Sequence, residues 1–92
     1  METRKVLIAE DFVFDSYYDS SSEVFWGVFD SVEAILAKLE AEGIQYKTEH
    51  SGDRTFWKWE EEATNEYGDS YILTHVISYK ECEVQGVNYY GV

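Results

Sequence analysis

The chain contains no proline, one cysteine and no apolar run approaching the roughly 20 residues needed to cross a bilayer. Cys82 cannot close an internal disulfide, so the fold has no covalent staple and must be held by packing. The opening Met1-Glu-Thr-Arg-Lys5 runs directly into a strand-like stretch and lacks the long apolar core of a signal peptide, so the expected compartment is the cytoplasm. Without proline, exposed strand edges have to be guarded by charge. Basic residues are scarce too. Seven Lys and Arg stand against nineteen Asp and Glu, a net charge of −12, which repels nucleic acid and anionic membranes and hastens encounter with basic surfaces.

Chemical signatures are also missing. There is no G-x-S-x-G, no phosphate-cradling glycine-rich loop, and no activated cysteine, since Glu81 and Glu83 flank Cys82 and disfavour its thiolate. His50, His75 and Cys82 are too few and too scattered for tetrahedral zinc, and His75 sits in an alternating apolar face where a satisfied core histidine is the simpler reading. Asp11, Asp15, Asp19 and Glu23 recur every four residues but lack the spacing and terminal bidentate Glu of a calcium loop. Paired carboxylates such as Asp11 with Asp15, or Glu60 with Glu62, have the chemistry for acid–base work. Nothing in the sequence singles them out, and a chain with one helix has little material for a cleft. The expectation is a non-enzymatic protein with no metal and no cofactor.

What the chain does have is apolar and aromatic content: 45% of its 92 residues are hydrophobic and 17% are Phe, Trp or Tyr, too many for a disordered acidic tail. This length makes residues 1–92 a single domain. Lys5 to Phe14 alternates as a strand, with Val6, Ile8, Phe12 and Phe14 on one side and Leu7, Ala9 and Val13 on the other. A turn-rich Asp15–Ser22 stretch leads to a second strand over Glu23–Phe29. Val32, Ile35, Leu36 and Leu39 then fall at helical spacing and predict a helix over about 31–42, with Asp30 as N-cap, Glu33 completing a capping box and Gly43 ending it. Strands are expected over Gln45–His50, Thr55–Glu61 and Ser70–Tyr79, and the tail from Glu81 to Val92 is expected to add a short edge strand through Cys82 and Val84. The fold class is α+β: a small antiparallel sheet in the order β-β-α-β-β-β with the helix packed on one face.

The acidic residues concentrate in two regions, from Glu10 to Glu42 and from Trp59 to Tyr79, the second holding Glu60, Glu61, Glu62, Glu66 and Asp69 without a Lys or Arg. On strands, alternate residues lie about 6.6 Å apart, so rows of carboxylates can imitate the spacing of a phosphate backbone. The same acidity also serves solubility. Aromatics in turns or the tail, namely Tyr17, Tyr18, Tyr67, Tyr89 and Tyr90, exceed what a small core uses and suit an arginine-rich partner. The partner-binding candidates are therefore Asp11, Asp15, Tyr17, Tyr18, Asp19, Glu23, Glu60, Glu61, Glu62, Glu66, Tyr67 and Asp69.

In its small size, acidity, aromatic content and lack of catalytic motifs, the whole chain resembles the inhibitors that phages and mobile elements encode against host defence nucleases, including anti-CRISPR and DNA-mimic anti-restriction proteins. The resemblance is one of character and brings no motif or residue with it. It implies a partner that is a basic protein, a nuclease or another nucleic-acid-binding effector, whose Lys and Arg residues the carboxylates would engage in place of DNA or RNA. An immunity protein capping a basic toxin nuclease fits the same composition. From another class, so does a small ligand-binding domain or enzyme built on the aromatic sheet.

Overall fold

The structure, a computed structural model, describes residues 3–85. It is α+β and mostly sheet. Five antiparallel strands, β1 (Thr3–Asp15), β2 (Ser20–Phe29), β3 (Lys47–Ser51), β4 (Arg54–Thr64) and β5 (Ser70–Gln85), lie in the order β2-β1-β5-β4-β3, with one helix, α1 (Val32–Ala41), between β2 and β3. Because β2 and β3 are the two edges, the helix connection has to traverse one face of the sheet.

Strand alternation decides what that face buries. Leu7 and Ala9 of β1, Trp57 of β4 and Ile77 of β5 form the buried core with Ile35 and Leu39 of the helix. In β1, the sets Leu7/Ala9 and Ile8/Phe12/Phe14 point to opposite faces, and only the first reaches the helix. Phe12, Phe14, Phe25 and Val28 remain exposed on the side opposite the helix.

The β1–β2 pairing slips once. Ala9 opposes Gly27 and Glu10 opposes Phe25, so Trp26 is an extra, unopposed residue. This bulge turns Trp26 towards the core, where its ring lies 5.4 Å from that of Phe29. At Gly27 a Cβ would stand 2.8 Å from Cε2 of the Phe29 ring lying over it, so a larger residue has to displace that ring.

The helix begins differently from the expectation. Ser31 is the N-cap, extended at φ −159 and ψ 166, with its Oγ accepting from the Ala34 amide at 3.2 Å, while Asp30 lies outside and pairs with Arg4. Ser31 takes the cap because it immediately precedes the first helical turn, is extended, and has its hydroxyl in reach of the Ala34 amide. Glu33 then sits in that turn, where the helix dipole favours it, and is not the third residue that a capping box uses. The C-terminal end is as expected: Gly43 has φ +71, its amide donates to Glu40 and the Ile44 amide donates to Leu39.

The last expected strand is a further correction. Cys82 and Val84 do not form a separate edge strand but continue β5, pairing with Val6 and Arg4 of β1. β1 is long enough to keep pairing to Thr3, so β5 runs on past its last β4 pair at Ile77, held over its final residues by β1. Tyr89 and Tyr90 lie outside the described residues.

Candidate functional site

β1 and β4 run upward to their hairpins in the same direction, so the 16–19 turn and the 65–69 turn meet at one end of the sheet. Two hydrogen bonds tie the first turn to the start of β5, just beyond the second, Ser16 N donating to the Ile72 carbonyl at 3.0 Å and Ile72 N donating to Ser16 Oγ at 2.9 Å. The Tyr17 ring packs 5.6 Å from Tyr71 and edge-on to Tyr18 at 4.7 Å.

Each turn is shaped by an amide-capping side chain. Asp15 Oδ1 accepts from Tyr17 N at 2.9 Å and Tyr18 N at 3.3 Å, while Asn65 Oδ1 accepts from Tyr67 N at 2.9 Å and Asp69 N at 3.0 Å. These bonds hold Tyr18 and Tyr67 outward, 71% and 77% exposed.

The sequence candidates therefore gather. Asp15, Asp19, Glu23, Glu60, Glu61, Glu62, Glu66 and Asp69, with Tyr17, Tyr18 and Tyr67, all belong to this half of the sheet, in segments 12–23 and 59–75, which hold no Lys or Arg. Alternation along β4 places Glu61 on the helix side and Glu60 and Glu62 on the other. Towards the open face, Glu23 is held above the usual carboxylate range, first by a hydrogen bond shared with the Glu10 carboxyl and then by that neighbour's charge; Lys80 works in the opposite sense.

Asp11 does not join this surface. It is 8% exposed, and its Oδ2 accepts from His75 Nδ1 at 2.8 Å, so it is no open partner for a foreign base. His75 Nε2 in turn bonds Glu61 Oε1 at 3.0 Å, and Trp59 stacks on the imidazole at 4.7 Å. The sequence showed Asp11 and His75 64 residues apart on alternating faces; only the β1–β5 register makes them neighbours.

Beside this trio opens a recess that the sequence reading did not foresee. It measures about 490 Å³ and lies between the C-terminal end of α1, at Glu42–Gln45, and the helix-facing side of β4 and β5, with Trp26, Trp59, Asp11, Glu61 and His75 in its walls. Its floor is incompletely satisfied, because Asp11 Oδ1 is buried without a hydrogen-bond partner. Lys38 stands over the Trp26 ring at 4.3 Å and donates to the Trp26 carbonyl at 3.0 Å. The short chain walls a cleft by bringing Trp26, from the β2 bulge, and the Gly43 turn that ends the helix to the same opening.

Among the described residues no three His, Cys, Asp or Glu are grouped so as to hold a metal ion, and no helix is long and apolar enough to cross a membrane. No family model, curated protein or solved structure matches the chain.

Proposed function

We propose that the chain is a non-enzymatic acidic binding protein whose hairpin end occupies the basic, nucleic-acid-gripping surface of a partner, as an inhibitor of a defence nuclease of anti-CRISPR or anti-restriction type would. One observation carries this reading: the strand order brings the 16–19 and 65–69 turns to the same end of the sheet, where Ser16 is tied to Ile72 of β5, and that end bears exposed carboxylates and tyrosines and no Lys or Arg. A surface of this kind offers acceptors to Arg and Lys, and its tyrosines offer flat contact area at low entropic cost. The sign of the field favours encounter with a basic groove and opposes binding of nucleic acid itself. Inhibition then needs no chemistry, since the occupied groove is closed to DNA or RNA.

The test is capture of a partner from nuclease-treated host lysate, followed by binding measurements with the purified partner across salt and with competing DNA. The expected result is mutual exclusion with DNA and a loss of affinity of about tenfold or more between low and physiological salt. The triple variant Glu62→Lys, Glu66→Lys, Asp69→Lys should abolish capture. Salt-insensitive binding, or capture unchanged in the triple variant, overturns the reading.

A further inference from the structure

The recess beside His75 has a chemistry of its own. Its walls combine indole surface from Trp26 and Trp59 with the carboxylates of Asp11 and Glu61, and its lining contains no Lys or Arg. An anion finds no counter-charge there. A purely apolar ligand would desolvate carboxylates without replacing their hydrogen bonds. The C-terminal end of α1 adds the negative pole of its dipole at Glu42–Ile44. Asp11 Oδ1, buried and unpartnered, adds uncompensated negative charge beneath the recess, while Glu61 and Glu42 present accessible carboxylates at its rim. The occupant is thus a cation with several N–H groups and a flat body that can lie against indole.

We propose that this cleft is a guanidinium-binding site. A guanidinium has five donors and no acceptor, is more weakly hydrated than an ammonium, and stacks on aromatic rings while forking onto carboxylates. Within the fold, Lys38 already sets a cation on the outer indole, Trp26, at 4.3 Å. Trp59 is fixed flat by its stack on His75, which leaves its orientation set before a ligand arrives. The cleft adjoins the Glu60–Glu62 segment, so, resting on the proposed function, its occupant in the complex is an arginine side chain of the basic partner; a free guanidinium compound is the other source of the same group.

The probe is agmatine, titrated at low salt into ¹⁵N-labelled protein while the Trp59 indole and His75 ring signals are followed. Saturable shifts at both are expected, weakened about fivefold or more by Glu61→Gln, whose exposed side chain makes unfolding no explanation, and unchanged by Asp19→Asn in the distant turn. Absence of saturation up to about 50 mM, equal weakening by both substitutions, or equal displacement by tetramethylammonium, which has no N–H donor, overturns the site. A short Arg peptide that binds more tightly than agmatine and loses that advantage in the Glu62, Glu66, Asp69 triple variant identifies a protein arginine as the occupant; agmatine binding as tightly as the peptide identifies a free compound. Failure of agmatine with salt-sensitive partner capture intact removes the cleft alone. Agmatine binding where capture is salt-insensitive keeps the cleft and removes the proposed function.

Discussion

Trp59 and His75 lie face to face across β4 and β5, their rings 4.7 Å apart and 2° from parallel. The stack fixes the plane of the imidazole, and that plane aims Nδ1 at Asp11 and Nε2 at Glu61. The ring is thus held on three sides, by a carboxylate at each nitrogen and by the indole across its face.

Removing the ring should therefore cost more than the area it buries. His75→Leu leaves the buried Asp11 carboxylate with neither oxygen bonded, and a loss of about 3–5 kcal/mol is expected from the urea midpoint. The double variant Asp11→Leu, His75→Leu removes the stranded charge and should be more stable than His75→Leu alone. If the double variant is the less stable of the two, the carboxylate is not what the ring protects.

The tie between the 16–19 turn and β5 separates charge from geometry. Ser16→Ala takes the acceptor from the Ile72 amide at 2.9 Å without altering any charge, and should cost about 0.5–1.5 kcal/mol with faster hydrogen exchange at Ile72. If this end of the sheet is the binding end, the same variant also weakens partner binding, although every carboxylate is retained. Unchanged exchange at Ile72 would show that the hydroxyl does not hold the first turn to β5.

How much of this was legible in the sequence depends on the range of the interaction concerned. The helix could be read because its signal is local: Val32, Ile35, Leu36 and Leu39 repeat at its period and Gly43 ends it within one turn. The cap was misassigned by one residue because Asp30 and Ser31 both have capping side chains, and the choice rests on a backbone angle and on Arg4, 26 residues away. β5 could be read as a strand but not at its full length, since Lys80, Glu81 and Glu83 look like the end of the pattern until β1 pairs along them; β4 pairing stops at Ile77, so these charges sit where the ladder is one-sided. The gathering of the acidic segments was visible only as composition; their meeting needed the strand order. The cleft was invisible, because Asp11, Trp26, Glu42, Trp59 and His75 come from five separate parts of the chain.

Glu23 gives the pH dependence its sign. Its folded-state pKa is raised above 4.5, first by the hydrogen bond with Glu10, so the folded chain holds a proton there that the unfolded chain has already released. Stability from this group is present at low pH and declines as pH rises from about 4.5 through the raised value. Glu23→Gln should then raise the urea midpoint at neutral pH, with the difference closing as pH falls below 4.5. A gap that widens on acidification would mean that the carboxyl pair is not sharing a proton.

Neighbouring residues of β5 test whether the fold has one core or two. Ile77 is fully buried under the helix and against Trp57, whereas Val76, the next residue, faces the side where Phe12 stands 40% exposed. If only the helix-covered face is packed, Ile77→Ala should cost about 2–5 kcal/mol, through lost transfer energy and a cavity that the rigid sheet cannot close. Val76→Ala, on the open side, should cost well under half as much, since its methyls keep contact with solvent in both states. Urea titrations of the two variants decide the matter. Equal losses would mean that the Phe12, Phe14 and Phe25 face is covered in solution, because a partly exposed valine can lose that much only when something packs against it.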